Sequence, residues 1–327
     1  MPTNPFEYIW PGIIAAQAIY AAARLRIPDL LASGPKNITE LASDCNANPA
    51  ALERLLRALA SIDLFALEPD GRFRNTALTE VLRSDHSESQ RDSALFLPAP
   101  FLWRPVGELY ESVRSGETAF PRIFGQKFFD YLAAHPDDAA TFNSAMTQGV
   151  AWTSPALLAA YDFSRFQQLV DVGGGQGAIL RDVLSANPQL RGILFDLPEV
   201  VSGAAQILEG DIAARSQIVA GSFFDSVPAG ASAYLMKGVI HDWPDDDAVK
   251  ILQAIRRAIP PDGTLLLIEN VAGAGAHPTG VLDLLMLVLG GRDRPEADFR
   301  SLLAATGYTL TRIINIEASS IIECHPI

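Results

Sequence analysis

The sequence predicts an α/β fold in which a mainly parallel sheet, covered by helices on both faces, is preceded by a mainly helical domain. From about Phe166 onward, apolar runs of strand length alternate with helical segments, as expected for a covered parallel sheet. The first 150 residues lack this alternation. The last two apolar runs, YTLTRIINI and SSIIECHPI, follow each other closely and predict an antiparallel pair at the sheet edge. We therefore expect domains at residues 1–95 and 151–327, joined by a helical segment at residues 96–150.

Composition narrows the classes of protein to consider. The 327 residues carry a formal net charge of −13, with acidic residues in excess in both halves. We therefore expect no basic face for nucleic acid or for an anionic membrane surface. The two cysteines, Cys45 and Cys324, are too few for a disulfide framework or a metal cluster, and they suit a reducing compartment.

The first helical segment, PGIIAAQAIYAAARL, is apolar around nearly its whole circumference. A signal peptide is disfavoured because the flank MPTNPFEY has no positive charge and because Pro11 and Gln17 interrupt the apolar run. No stretch approaches the ~20 apolar residues of a membrane-spanning helix. We expect a cytoplasmic protein whose first helix is buried against a second subunit, and hence a homodimer.

The remainder of the first domain has a winged-helix pattern. ITELASDCNANPAALERLLRALASIDLF predicts two helices broken at residues 46–49, and FALEPDGRFRNT predicts a hairpin around residues 69–71. Arg54 and Arg57 on the second helix are compatible with DNA binding. The leucines of that helix form a core face, however, and the region is acidic, whereas affinity for duplex DNA comes mainly from phosphate neutralisation. A packing module for dimer contacts is favoured.

A glycine-rich turn, LVDVGGGQGAIL, lies between a predicted strand and a predicted helix of the second domain. Gly173, Gly175 and Ala178 satisfy G-x-G-x-x-G/A, and Asp196 ends the next predicted strand about 20 residues further on, so the spacing permits a dinucleotide.

Three features of the sequence favour a cofactor other than a dinucleotide. Asp171 inside the strand would repel a pyrophosphate but suits an ammonium and a sulfonium. The second half of a dinucleotide fold is missing after Asn270. Asp196 can accept from the hydroxyls of any adenosine ribose. We infer S-adenosylmethionine.

Five sequence motifs together resemble those of a known enzyme family. The chain resembles the plant caffeate-type and bacterial small-molecule O-methyltransferases over essentially its whole length. The motifs that carry this resemblance occur in the order LVDVGGGQGAIL, LFDLPEVV, MKGVIHDWPDDD, LLLIENV and LGGRDRPEADFRSLLAATGY. The resemblance implies a Rossmann-like class I methyltransferase domain after a winged-helix dimerisation domain. It places cofactor contacts at Gly173, Asp196, Ser222, Phe223 and Lys237. Relatives usually carry an aspartate at position 222, so Ser222 is a departure that predicts a weaker, uncharged hydrogen bond to the adenine.

Catalysis in this family would need a base that titrates near neutrality. Among the five histidines, only His241 directly follows a strand that runs to the carboxyl edge of the predicted sheet, where the sites of α/β proteins lie. Glu269 ends the next strand and could orient the imidazole. The resemblance assigns Glu269 this role and gives Glu296 a second flanking role, although Glu296 also suits a helix start.

The acceptor site is expected to combine the histidine turn with the helical segment before the sheet. The resemblance places Asp242 beside the substrate and Asn143 and Met146 in the pocket, with Trp152 close behind them. Methionine and aromatic side chains suit a flat phenolic or polyketide-like acceptor, but they fit ordinary packing equally well.

Residues 245–247 form an acidic run that could suggest a metal site with Asp242. We expect no metal, because these acids open a predicted helix, where they complement the macrodipole. The resemblance also implies metal-independent chemistry.

The sequence thus predicts methyl transfer to a hydroxyl group of a small aromatic natural product. Two alternatives remain at this point. A relative could bind the same cofactor and perform decarboxylation or hydroxylation, although His241, Glu269 and Glu296 favour methyl transfer. More remotely, the chain could be a winged-helix regulator that senses a ligand, in which case it would bind duplex DNA in a salt-dependent manner.

Overall fold

The structure is a computed structural model that describes residues 4–273, 280–317 and 319–327. The chain divides into two compact units, Met1–Trp103 and Arg104–Ile327. No helix among the described residues is long and apolar enough to cross a membrane.

The first unit is mainly helical, with one small hairpin. Its helices are α1 (Phe6–Arg24), α2 (Ile27–Leu30), α3 (Ile38–Asp44), α4 (Pro49–Ala60), α5 (Ala77–Glu80) and α6 (Arg91–Phe96), and α7 (Pro100–Gly107) crosses into the second unit. The hairpin strands are β1 (Phe65–Leu67) and β2 (Phe73–Asn75), which pair antiparallel.

The predicted helix–turn–helix–hairpin arrangement is present in this unit. Asn37 and Asn48 cap α3 and α4, each accepting a hydrogen bond from a backbone N–H in the first turn of its helix. Leu52, Leu56 and Leu59 of α4 are buried in the core of the unit. The leucine face of α4 is therefore a packing face, as the sequence predicts.

Helix α1 buries only part of its surface within the first unit. Its small residues Ala18, Ala22 and Ala23 are buried. Large apolar side chains near its start are more than half exposed: Phe6, Ile9, Trp10, Ile13 and Ile14. A contiguous exposed apolar face of this kind generally marks an interaction surface.

The second unit contains the sheet and its flanking helices. The helices are α8 (Leu109–Ser115), α9 (Ala119–Phe124), α10 (Phe128–Ala134), α11 (Pro136–Ala160), α12 (Ala178–Ala186), α13 (Pro198–Val201), α14 (Gly210–Ala213), α15 (Asp245–Ala258), α16 (Gly280–Leu289) and α17 (Glu296–Ala305). The strands are β3 (Gln168–Val172), β4 (Arg191–Asp196), β5 (Ser216–Ala220), β6 (Ala233–Lys237), β7 (Thr264–Glu269), β8 (Tyr308–Ile316) and β9 (Ser319–Pro326). Short 3₁₀ turns lie at Ala204–Gln206 and Ile240–Asp242.

The strand order is β5-β4-β3-β6-β7-β9-β8. Strands β3 to β7 are parallel, and β9 pairs antiparallel with both β7 and β8. The predicted mixed sheet with its terminal antiparallel pair is therefore confirmed. Because β6 and β7 are neighbours, residues that follow their carboxyl ends are brought together at one edge of the sheet.

Helix α11 extends across residue 151, the predicted start of the sheet domain. Helix α11 runs from residue 136 to residue 160 without a break at 150. Val150 and Leu157 of this helix are buried in the same core cluster as Leu180 of α12 and Leu194 of β4. The second half of α11 therefore packs as part of the sheet domain, and this packing carries the helix through the predicted boundary.

Candidate active site

The glycine-rich loop connects β3 to α12 and requires glycine for two reasons. Gly173 and Gly175 have φ values of 68° and 61°, in the left-handed region that favours glycine. A Cβ atom added at Gly173 would lie 3.0 Å from Cγ2 of Val239, whereas one added at Gly175 would meet nothing within 4 Å. The loop is thus closely packed on one side and open at Gly175.

Asp171 lies on β3 directly beneath this loop. Its side chain is 1 % exposed, and its Oδ2 atom has no hydrogen-bond partner among the described residues. Burial and the nearby carboxylate of Asp196 raise the pKa of Asp171 to about 7. A buried carboxyl group of this kind is stabilised as a carboxylate by a cation placed near it.

Asp196, at the end of β4, fastens the loop to the sheet. Its Oδ2 accepts a hydrogen bond of 2.8 Å from the backbone N–H of Gly175, and its Oδ1 accepts one of 2.7 Å from that of Leu197. Burial raises the pKa of Asp196 above its usual value. Because each carboxylate oxygen can accept more than one hydrogen bond, Asp196 keeps capacity for a ligand.

Aromatic side chains lie beside the loop. Cε1 of Phe223 is 3.5 Å from the position of a Cβ at Gly173. The ring of Phe223 also packs edge-on against Trp243, with ring centroids 6.0 Å apart. Ser222 Oγ accepts a hydrogen bond of 3.2 Å from the backbone N–H of Phe224. Ser222 and Phe223 therefore lie on the loop that borders the glycine turn.

Lys237, the last residue of β6, lies among acidic groups. Burial lowers its pKa, and the carboxylates of Glu269, Asp242 and Asp171 oppose this effect. Its ammonium group thus partly balances the negative charge at this edge of the sheet.

His241 lies in the 3₁₀ turn that follows β6. Glu269, at the end of β7, positions this turn: its Oε1 accepts hydrogen bonds from the backbone N–H groups of Val239 (3.1 Å) and Ile240 (2.7 Å). The second oxygen, Oε2, lies 3.3 Å from His241 Nδ1. One fully buried carboxylate therefore holds the backbone of the turn and faces its imidazole.

Carboxylates surround the imidazole ring. Besides Glu269, Asp293 Oδ1 lies 3.8 Å from Nδ1, and Asp242 Oδ1 lies 3.4 Å from Nε2. Burial lowers the pKa of His241, but Glu269, Asp242 and Asp293 outweigh this effect, so that its pKa is raised overall. The pKa of Asp242 is raised to about 6, mainly by burial. The side chain of His241 is 16 % exposed, and its Nδ1 is buried.

The second carboxylate at Nδ1 is Asp293, whereas the sequence pointed to Glu296. Glu296 begins α17 with a side chain about half exposed, and it pairs with Arg300 one turn further along the same helix. Its position there is that of a helix-start acid on a solvent-facing side. Asp293 lies in the preceding GGRDRP segment, in which the side chain is buried.

The pocket-wall residues predicted from the sequence lie on α11. Asn143 is partly buried, Met146 is 39 % exposed and Trp152 is 54 % exposed. Helix α11 approaches the glycine loop at its middle, where Thr147 Oγ1 donates a hydrogen bond of 3.3 Å to Gln176 Oε1. The two large side chains are therefore available on a helix that borders the loop.

The acidic run at residues 245–247 opens α15, as predicted. Asp245 pairs with Arg294, and Asp247 pairs with Lys250 and Lys127. Among the residues that the structure describes, no cluster of His, Cys, Asp or Glu is arranged to hold a metal ion. His277 lies outside the described residues.

Comparison with known proteins identifies relatives over nearly the whole chain. A family model described as an O-methyltransferase domain matches residues 106–309, and one described as an O-methyltransferase dimerisation domain matches residues 9–85. The phenazine O-methyltransferase PhzM of Lysobacter antibioticus is 39 % identical over 97 % of this chain and 94 % of its own length.

Two solved structures extend the comparison. The mitomycin 7-O-methyltransferase MmcR is 38 % identical, with a TM-score of 0.91 over 98 % of this chain and 97 % of its own. The O-methyltransferase NcsB1 from neocarzinostatin biosynthesis, solved with S-adenosylmethionine and 2-hydroxy-5-methyl naphthoic acid, is 34 % identical with a TM-score of 0.84, over 96 % of each chain.

Proposed function

The chain belongs to the O-methyltransferase family, and from that premise we propose that it methylates a hydroxyl group of a small aromatic acceptor, with S-adenosylmethionine as donor and His241 as general base. The observation that carries the proposal is the histidine turn at the carboxyl end of β6, where the buried carboxylates of Glu269 and Asp293 lie 3.3 and 3.8 Å from Nδ1. Val239 of the same turn packs against Gly173, so the base lies next to the glycine loop. Formation of a methylated product from hydroxyarenes tests the activity.

Two features of the loop fit the proposed cofactor. The open position at Gly175 allows a ligand to approach the backbone, and the unpartnered, buried Oδ2 of Asp171 suits the positive charge of the ligand. Asp196 would accept from the ribose hydroxyls, and Ser222, Phe223 and Lys237 would border the adenosine and methionine parts. When bound, the cofactor would supply a methyl group carried on a sulfonium sulfur, which would leave as the neutral thioether of S-adenosylhomocysteine.

The chain's residues then have two tasks. They would orient the acceptor hydroxyl for in-line attack on the methyl group, and they would take up the hydroxyl proton. His241 Nε2 would accept this proton, while Glu269 and Asp293 stabilise the imidazolium from the Nδ1 side. The proposed step requires no metal, because the imidazole removes the proton and the sulfonium needs no further activation.

The pH dependence of the rate follows from the raised pKa of His241. A general base must be neutral, so kcat/KM is expected to rise with pH through an inflection above about 6.5, the ordinary value for histidine. The charged groups facing the ring are Glu269, Asp242, Asp293 and Lys237. The profile is measured with an acceptor whose hydroxyl titrates far from this range.

An Asp293→Asn variant provides the control for this profile. Removing one of the carboxylates that raise the pKa is expected to move the inflection to lower pH. An unchanged inflection in Asp293→Asn, or a wild-type rate independent of pH between about 6 and about 9, which includes the ordinary histidine value and the range above it, would contradict the assignment of His241.

The acceptor is proposed to be a flat aromatic molecule. Met146 and Trp152 offer large, partly exposed apolar surface on α11, and Asn143 and Asp242 offer polar contacts. The relatives support this class, since their names refer to phenazine and mitomycin and one was solved with a naphthoic acid.

Position 222 offers a direct test of adenine contact. Ser222→Asp is expected to tighten S-adenosylmethionine binding by about 3- to 10-fold, because a charged acceptor makes a stronger hydrogen bond than a hydroxyl. The local turn would be kept, since an aspartate can accept from the N–H of Phe224 as Ser222 does. Calorimetric titration measures the change. An affinity equal to that of the wild type would show that residue 222 does not face the adenine.

We further propose that the protein is a homodimer. The dimerisation-domain match covers residues 9–85, and the exposed apolar face of α1 lies at the start of this region. Burying that face against a second copy would remove from water the large side chains that the first unit leaves exposed.

A further inference from the structure

The segment 291–294, between α16 and α17, lies directly against the histidine turn. A Cβ atom added at Gly291 would be 2.0 Å from the carbonyl oxygen of His241 and 2.9 Å from Cα of Asp242. The backbone N–H of Arg292 donates a hydrogen bond of 2.8 Å to that same carbonyl oxygen. The backbone of this segment therefore lies directly against the turn, and a glycine is required where the two segments meet.

Arg294 provides the strongest contacts of this support. Its guanidinium donates to the carbonyl oxygen of Ile240 through Nη1 and to that of Trp243 through Nη2, both at 2.8 Å. These two carbonyls lie on either side of His241 and Asp242. Nε and Nη2 also donate to Asp245 Oδ1, at 2.9 and 2.7 Å. The guanidinium thus bridges both ends of the turn that carries the proposed base.

Arg294 is itself fixed to the sheet. Its carbonyl oxygen accepts a hydrogen bond of 2.9 Å from the N–H of Ala272, and it forms a parallel bridge with Val271, just beyond the end of β7. Glu269, at the end of that strand, holds the N–H groups at the other side of the turn. Glu269 therefore binds the N–H groups of the turn, and Arg294 binds its carbonyl groups. Glu269 ends β7, and Arg294 is bonded to the backbone just beyond that end.

We propose that Arg294 is a positioning residue that keeps His241 in register with Glu269 and Asp293; this inference rests on the proposed function of His241. Arg294 is 1 % exposed; its contact with the Ile240 carbonyl is buried, and its contact with the Trp243 carbonyl is partly buried. Its ion pair with Asp245 is a lesser contribution, because the Asp245 side chain is 58 % exposed and the pair is open to solvent. The planar guanidinium directs its N–H groups at both carbonyl oxygens at once. A lysine ammonium lacks this fixed arrangement of donors.

The test is a double-mutant cycle between Arg294 and His241, measured on the full chain by single-turnover methyl transfer. Arg294→Lys is expected to lower the rate about 10- to 100-fold, since a small displacement of a catalytic group has effects of this size. Cofactor affinity and acceptor KM are expected to change less than about 3-fold. In a His241→Gln background the same substitution is expected to cost less than about 2-fold, because Arg294 acts through His241.

Two readouts distinguish positioning from general loss of structure. The pH inflection of Arg294→Lys is expected to shift downward, toward the ordinary value of histidine, as the ring leaves the carboxylates. Arg300→Lys is the matched control: Arg300 lies on α17, pairs with exposed Glu296 and is expected to keep the wild-type rate. If Arg294→Lys does not fold, Gly291→Ala displaces the turn from the same side, and the same dependence on His241 is expected of it.

The outcomes distinguish the positioning role of Arg294 from the role of His241 as base. Rate losses that multiply in the double variant would overturn the positioning role of Arg294 and leave His241 as base. A near-normal rate in His241→Gln alone would contradict the proposed function, and the role of Arg294 with it. A normal rate and pH profile in Arg294→Lys would also overturn the inference.

Discussion

Replacing His241 with glutamine is expected to lower the rate of methyl transfer by about 10²- to 10⁴-fold, the usual contribution of a general base. Glutamine has a side chain of similar reach but no basic nitrogen, so the acceptor hydroxyl would lose its proton only to water. S-adenosylmethionine binding is expected to stay within about 3-fold of the wild type, because the proposed cofactor contacts lie on Asp196, Ser222 and the glycine loop. Single-turnover rates and calorimetric affinities, measured side by side, separate the two effects.

His325→Gln is the matched control for this substitution. His325 lies on β9, where Nε2 is 3.6 Å from a carboxylate oxygen of Glu323. Its loss is expected to leave the rate unchanged, because β9 contributes none of the groups around His241. A His241→Gln enzyme with a rate close to that of the wild type would remove His241 as the base.

Glu269→Gln is expected to have the second largest effect, a loss of roughly 10²- to 10⁴-fold in kcat, by analogy with the loss when an orienting carboxylate becomes an amide. The amide oxygen must face the N–H groups of Val239 and Ile240, because an amide NH₂ there would meet two other donors. The NH₂ group then faces Nδ1 and donates to it. Neutral His241 would carry its proton on Nε2, the nitrogen that must accept the acceptor's proton.

Glu269→Asp is the informative companion to this variant. It keeps the charge but shortens the reach, so the tautomer is preserved while the turn is held less firmly, and a smaller loss is expected than for Glu269→Gln. The comparison uses kcat for both variants together with their thermal unfolding midpoints. Equal losses in the two variants at equal stability would show that the tautomer of His241 is not what Glu269 controls.

Much of this arrangement is encoded in short-range sequence patterns. The strand–glycine–helix stretch around Gly173 predicts the loop, because only glycine suits its φ values and its close packing. The proximity of His241 and Glu269 is also predictable, because His241 follows one parallel strand, Glu269 ends the next, and the two strands are neighbours. The antiparallel pair of β8 and β9 follows from two apolar runs too close together for a crossover connection.

Other features depend on tertiary packing that no local pattern reveals. Asp293 and Glu296 are both acids of one segment, and only the path of the backbone against the histidine turn decides which faces Nδ1. The extent of α11 is similar: Val150 and Leu157 join the core of the sheet, which carries the helix past the predicted domain boundary. The role of Arg294 was likewise hidden, because an arginine in a polar loop gives no sign that it is buried.

The proposed O-methyl transfer is tested by following the methyl group itself. The protein is incubated with S-adenosylmethionine labelled in its methyl carbon and with a panel of hydroxyarenes, their amino analogues and their carboxylated derivatives. The label is expected on an acceptor oxygen, in amounts equal to the cofactor consumed, and His241→Gln is expected to lose this product. Label on nitrogen alone, or a product that has lost carbon dioxide or gained oxygen without consuming the cofactor, would contradict the proposed transfer.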